Sequence, residues 1–148
     1  MTQTTSSKHL VIYADDDIDD LRFVEQAFMD TTTNIELVTV KDGSKAIDFL
    51  TQLSLRDPNP CLIILDVNMP KLNGKETLQR IRQMKRFEHI PVVLFTTSSM
   101  EHDRLFAMQF NAGFITKPLE ARQMQRIAEQ FIGHCNEGIK SSIARKII

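Results

Sequence analysis

The stretch "YADDDIDD" (13–20) places five aspartates, Asp15, Asp16, Asp17, Asp19 and Asp20, within six positions directly after the apolar run Leu10-Val11-Ile12. Two carboxylates about 4 Å apart repel by roughly 1 kcal/mol in water, and by more where solvent is thinned. A cluster of this kind stays ionised when a cation sits within it. Other residues of the right chemistry close other apolar runs: Asp66 ends "CLIILD", Thr96 and Thr97 end "PVVLFTT", and Lys117-Pro118 follows "GFIT". Carboxylates, a hydroxyl and one ammonium, with no His or Cys among them, form a hard oxygen donor set. That set suits Mg²⁺, which takes few protein oxygens and keeps several waters.

Other readings of the acidic run fare less well. Asp15, Asp17 and Asp19 satisfy D-x-D-x-D, the opening of a calcium-binding EF-hand loop, but that loop needs Gly at its sixth position and Glu at its twelfth. Asp20 and Gln26 stand there instead. A flavin-binding sheet would want neutral, phosphate-cradling residues at this point. The run is therefore divided: Asp15 and Asp16 for the metal, and Asp17, Asp19 and Asp20 for capping and charging a helix start.

The elements that must carry these residues alternate along the chain. "HLVIYA" (9–14) is an apolar run of strand length, followed by Ile18, Leu21, Val24 and Phe28 at helical spacing. "IELVTV" (35–40) predicts a second strand, and Ala46, Ile47, Leu50 and Leu53 the stripe of a second helix. "SLRDPNP" is a turn. "CLIILDV" (61–67), the most continuously apolar run, is placed as the central strand, and a third helix begins near Gly74 with Leu78 and Ile81 inward. "IPVVLFT" (90–96) is a fourth strand, 99–110 a fourth helix and "GFIT" (113–116) a short fifth strand. Met124, Ile127, Ala128, Phe131 and Ile132 form the stripe of a final helix. Such alternation with short links predicts a parallel sheet with helices on both faces. In an open parallel sheet, ligands gather at the carboxyl ends of the strands, where the residues above would converge.

Composition narrows the partners. A chain of 148 residues, 42% hydrophobic and 25% charged, is ordinary for one soluble domain. Its net charge of −1 argues against nucleic acid, and no apolar stretch approaches the roughly 18 residues of a membrane span. "MTQTTSSKH" lacks the features of a signal peptide, and residues 1–7 read as a disordered tail. Cys61 and Cys135 are far apart in sequence, which suits a reduced cytoplasm, with Cys61 expected as a small buried residue opening a strand. His9, His89, His102 and His134 are scattered without ligand spacing. Met84, Met100, Met108 and Met124 are expected to fill gaps in the core.

Five features together, the acid pair in "YADDDIDD", "LIILDVNMPKLNG", "PVVLFTTS", "GFITKP" and their order and spacing, give the chain a family likeness. Over residues 8–133 it resembles the CheY-like receiver domains of response regulators, most closely the stand-alone receivers that partner phytochrome-type sensor kinases. The resemblance implies a flavodoxin-like (βα)5 fold, a doubly wound parallel sheet of strand order 2-1-3-4-5, with residues 134–148 as a C-terminal extension that could hold a short helix. It implies that Asp66 is the phosphoacceptor, and that Asp15, Asp16, Asp66 and the backbone carbonyl of Asn68 hold Mg²⁺. It further implies that Thr96 is the switch hydroxyl, Lys117 the phosphate-binding lysine and Phe114 the switch aromatic.

The implied partners are a sensor histidine kinase and an unknown downstream protein. A homodimer through the fourth helix, fifth strand and fifth helix, or through the C-terminal extension, is an open alternative. The implied role is signalling, with no enzymatic activity beyond the protein's own phosphorylation and dephosphorylation. A phosphohydrolase of the haloacid-dehalogenase type is the alternative from another class; it usually carries D-x-D where this chain has Asp66-Val67-Asn68. A constitutive, unphosphorylated binding module is the third. Two local details depart from the family or from ordinary backbone. Between Thr96 and Lys117 the chain is one residue shorter than usual, with Asn111-Ala112-Gly113 before the fifth strand. The Lys117-Pro118 bond is expected to be cis, so that the lysine points into the site while the chain turns into the last helix.

Overall fold

The computed structural model describes residues 8–147; the tail expected at 1–7 lies outside them. The chain runs β1 (His9–Ala14), α1 (Ile18–Thr31), β2 (Ile35–Val40), α2 (Gly43–Gln52), β3 (Leu62–Leu65), α3 (Gly74–Gln83), a 3-10 turn, β4 (Val92–Thr96), α4 (Glu101–Gln109), β5 (Gly113–Thr116), α5 (Ala121–Met124), α6 (Ile127–Ile132) and α7 (Glu137–Ser142). The five strands form one sheet in the order β2-β1-β3-β4-β5, every pair parallel. This is the expected strand order. Among the described residues no helix is long and apolar enough to cross a membrane.

Alternate strand residues feed two cores. Val11, Tyr13, Ile64, Val93 and Phe95 pack against Val24 and Phe28 of α1 and Ile127, Ala128 and Phe131 of α6. Ile12, Ala14, Ile63, Leu65 and Leu94 pack against Ala46 and Leu50 of α2, Leu78 and Ile81 of α3 and Ala107 of α4. All four residues of β3 are buried, as its central position requires.

Differences from the sequence reading are local. β3 begins at Leu62 and β4 at Val92 rather than at 61 and 90. Pro91 has no N–H for a ladder, and only its carbonyl takes part, accepting from the Ile63 N–H. The expected final helix is two pieces, α5 and α6, because Arg126 leaves helical geometry (φ −98°, ψ 2°). Its stripe survives: Met124, Ile127, Ala128, Phe131 and Ile132 are all buried in one core. Of the four methionines assigned to the core, Met100 and Met108 are exposed on and before α4. The described residues contain no cis peptide bond, so Lys117-Pro118 is trans. The long lysine side chain reaches the site without it.

Residues after α6 fold back on the turn between α1 and β2. The Asn34 side chain donates to the Ser142 carbonyl (2.9 Å) and accepts from the Ala144 N–H (2.8 Å). Thr32 and Arg145 form an antiparallel bridge, Ile143 is buried, and the Arg145 guanidinium grips Glu129 through both carboxylate oxygens (2.6 and 3.1 Å).

Candidate functional site

The site is built where β1, β3 and β5 end. Asp15 closes β1; its N–H donates to the Val40 carbonyl (3.0 Å), which keeps it in the sheet register. Its side chain is fully buried, and both oxygens are engaged. Oδ1 accepts the Asp17 N–H (2.9 Å), and Oδ2 accepts the Tyr13 hydroxyl (2.5 Å) and Lys117 Nζ (2.7 Å). Asp17 caps α1, accepting the N–H groups of Asp19 (2.9 Å) and Asp20 (3.3 Å), as its spacing predicts.

Asp66 follows β3 directly, its N–H donating to the Ala14 carbonyl (3.0 Å). The loop after it turns back tightly, and the Gly74 N–H at the head of α3 donates to the Val67 carbonyl (2.9 Å). A Cβ at Gly74 would lie 2.2 Å from the Asp66 carbonyl oxygen, so only glycine lets α3 approach the Asp66 backbone this closely. Within the same loop Lys71 holds a left-handed φ of 66°.

Lys117 enters from β5. Its N–H extends the ladder to the Thr96 carbonyl (2.7 Å). Its ammonium, buried, meets Asp15 (2.7 Å), Asp20 (2.7 Å) and Asp66 (3.3 Å). A carboxylate oxygen from each of Asp15, Asp16 and Asp66 lies within 4.8 Å of the others; Asp16 is exposed while its two neighbours are buried. One ammonium among that many carboxylates leaves an excess of negative charge in a partly dry place. The donor set, oxygens alone, fits a divalent hard cation.

The charges answer to this arrangement. Burial, followed by the neighbouring Asp15 charge, pushes the Asp66 carboxyl up to about 7 against the pull of Lys117. Burial also raises Asp20, with Lys117 opposing. For Lys117 burial acts downward, but its hydrogen bonds to Asp15 and Asp20 outweigh it and the ammonium is held more firmly than an ordinary lysine.

The remaining expected residues lie on β4, β5 and the loop after Asp66. Thr96 is fully buried at the end of β4, and its hydroxyl oxygen accepts the Ser98 N–H (3.2 Å). Phe114, half-buried on β5, pairs in register with Leu94 and lies under the Arg104 guanidinium, 5.0 Å from the ring centre. Asn68 is exposed in the loop after Asp66. Asn111 takes the left-handed φ of 54° between α4 and β5, a helix-end conformation that asparagine tolerates.

Sequence reading missed three participants. Asp20, assigned to the helix start, turns inward to Lys117; i+3 spacing from Asp17 is the one signal it offered. Tyr13 looked like core, and only its position two residues before Asp15, on the same strand face, hinted at contact. Asp103, at the start of α4, accepts the Ser98 hydroxyl (2.7 Å) and pairs with Lys75 of α3. This network ties α3 and α4 to the segment just after Thr96.

Comparison with known proteins points one way. The family model described as the response regulator receiver domain matches residues 11–129. Response regulator Rcp1 of Synechocystis is 30% identical over 132 residues, covering 87% of this chain and 90% of Rcp1. The phosphorylated cyanobacterial phytochrome response regulator RcpA superposes with a TM-score of 0.76 at 31% identity, over 84% of this chain and 91% of that one. The Mn²⁺-bound form of Rcp1 superposes with a TM-score of 0.74 at 30% identity, over 82% and 90% of the two chains.

Proposed function

The chain belongs to the response regulator receiver domain family, and on that premise we propose that Asp66 accepts a phosphoryl group from a phosphohistidine of a sensor histidine kinase. The observation that carries the proposal is the bridging of Asp15, Asp20 and Asp66 by Lys117 Nζ at the strand ends. It holds the Asp66 carboxylate, a fixed ammonium and Asp15 together, with an Asp16 oxygen within 4.8 Å of those of Asp15 and Asp66, which supports a nucleophile beside a metal-binding acid pair. The likeness to RcpA, a phytochrome response regulator, supports a phytochrome-type kinase as the donor.

An Asp66 oxygen attacks phosphorus in line with the bond to the histidine nitrogen. The P–O bond forms as the P–N bond breaks, and the nitrogen keeps the electron pair. Attack brings a carboxylate against phosphoryl oxygens that are already negative, so fixed positive charge decides the barrier. Asp15, Asp16, Asp66 and the Asn68 carbonyl would hold Mg²⁺, which supplies charge neutralisation at the transferring oxygens and favours ionised Asp66. Lys117 reaches Asp66 across 3.3 Å and shifts its hydrogen bond to a phosphoryl oxygen.

The product places about two negative charges and three acceptor oxygens where one carboxylate had been. Thr96 then turns its hydroxyl toward one of those oxygens, giving up the Ser98 N–H. Phe114 fills the space vacated, and the surface of α4, β5 and α5 changes its packing. That surface carries exposed Met100, Leu105 and Met108, apolar side chains suited to contact with a downstream protein or a second copy. The test is transfer from a phosphorylated phytochrome-type kinase: label should leave the kinase and appear on this chain only with a divalent cation present. Label retained on every kinase tried, with cation present, would count against the role.

A further inference from the structure

We propose that Asp103 is a positioning residue for the phosphorylation switch: anchored by Lys75, it latches Ser98 and so holds Thr96 in its resting arrangement. This rests on the phosphoacceptor role of Asp66 proposed above. Asp103 lies in the first turn of α4, yet it is buried. Oδ2 accepts the Ser98 hydroxyl (2.7 Å), and Oδ1 pairs with the ammonium of Lys75, the second residue of α3. His102 Nε2 lies 3.3 Å from the same Oδ1. The Lys75 ammonium also faces the Phe106 ring of α4, 5.4 Å from its centre, so two contacts on one helix fix it. Burial raises the Asp103 carboxyl, but the hydrogen bonds of Lys75 and Ser98 outweigh it and hold the group below the ordinary carboxylate range.

Ser98 carries this hold to Thr96. Its N–H donates to the Thr96 hydroxyl oxygen (3.2 Å), while its own hydroxyl oxygen accepts the Met100 N–H (3.2 Å). Three hydrogen bonds thus converge on one residue of the segment between β4 and α4. At the far end Lys75 follows Gly74, whose N–H is bonded to the Val67 carbonyl (2.9 Å) in the loop after Asp66. The chain of contacts runs from that loop, through α3 and α4, to the hydroxyl that must move.

When Thr96 turns toward a phosphoryl oxygen, the Ser98 N–H loses its acceptor. An unpaired donor is costly, so residue 98 shifts to find another, and the shift strains its bond to Asp103. A hydrogen bond to an ionised carboxylate is stronger than a neutral one, so Asp103 resists that shift more than an ordinary loop contact would. The closed latch therefore biases the chain toward the resting state. A ligand of the switched state binds more weakly in proportion to how few molecules occupy that state, and releasing the latch raises the fraction.

The full chain is titrated calorimetrically with beryllium fluoride, a phosphoryl mimic, at fixed Mg²⁺, as wild type, Ser98→Ala and Lys75→Met. Both variants should bind several-fold more tightly than wild type. The double variant should bind no more tightly than the better single one, because both act through Asp103. Glu101→Gln, exposed in the same helical turn, should match wild type. Lost stability alone does not tighten binding, so a merely structural role gives unchanged or weaker affinity. That result beside a binding wild type overturns the latch and leaves the role of Asp66 standing. A wild type that binds no beryllium fluoride overturns the role of Asp66, and the latch falls with it. Ser98→Ala removes one half-buried hydroxyl and decides even if Lys75→Met does not fold.

Discussion

The Tyr13 hydroxyl donates a 2.5 Å hydrogen bond to Asp15 Oδ2, the same oxygen that Lys117 Nζ holds at 2.7 Å. Tyr13 is fully buried, its ring edge-on to Phe95 with centroids 6.1 Å apart, and Phe95 in turn packs edge-on to Phe131. The aromatic stack thus fixes the phenol, and the phenol fixes the carboxylate. Tyr13→Phe keeps the stack and removes one hydrogen bond to a charged group, an interaction worth about 1.5–3 kcal/mol. Stability should fall by roughly that amount in chemical denaturation, and divalent cation affinity should drop several-fold by calorimetric titration, because Asp15 loses its anchor.

The same residue offers a probe. The chain has one tyrosine and no tryptophan, so intrinsic emission reports on the neighbourhood of Asp15 alone. Adding Mg²⁺ to wild type should change Tyr13 emission saturably. Asp16→Ala should shift that titration to higher concentration, and an unshifted curve would remove Asp16 from the ligand set.

Asp20 and Asp19 are adjacent in sequence and differ in role. Asp20 pairs with Lys117 at 2.7 Å, whereas Asp19 is exposed. Asp20→Ala should cost about 1–2 kcal/mol by denaturation in the absence of divalent cation, since a buried ammonium loses a partner. Asp19→Ala should stay within about 0.5 kcal/mol of wild type. Equal losses would mean that Asp20 does no more than decorate the helix start.

The raised Asp66 carboxyl has a pH signature. At low pH both folded and unfolded chains hold the proton and Asp66 exacts no penalty. As pH rises from about 4 toward 7 the unfolded chain releases it while the folded chain keeps it, so this group's contribution to stability is lost across that window. Without divalent cation, Asp66→Asn should therefore be more stable than wild type at pH 8, and the gain should shrink toward zero near pH 4. Thermal denaturation of both proteins across that range checks the trend.

Asn34 holds the C-terminal residues through two hydrogen bonds, to the Ser142 carbonyl and from the Ala144 N–H. Asn34→Ala should speed amide exchange over residues 137–146 and cost about 1–2 kcal/mol. Phosphoryl labelling at the far end of the sheet should be unchanged.

Much of the architecture was legible because strands are short and rich in apolar or β-branched residues: buried β1 and the edge strands β2 and β5 fall where "HLVIYA", "IELVTV" and "GFIT" place them. The clustering of Asp15, Asp16, Asp66 and Lys117 followed from one rule about strand ends. What sequence concealed was side-chain direction. Asp20 and Asp19 read alike until the helix's rotation turns one toward Lys117. Met100 and Met108 read as core because apolarity does not say which side of α4 faces water. The break at Arg126 left the apolar stripe intact, and periodicity alone could not show it.

The phosphoacceptor is tested most directly by incubating wild type and Asp66→Asn with acetyl phosphate and Mg²⁺ and mapping the modified residue after borohydride reduction. Wild type should take up one hydroxylamine-labile phosphoryl group, located at Asp66, and folded Asp66→Asn should take up none. Undiminished, hydroxylamine-labile labelling of the variant, or a wild-type adduct located elsewhere, would contradict the account.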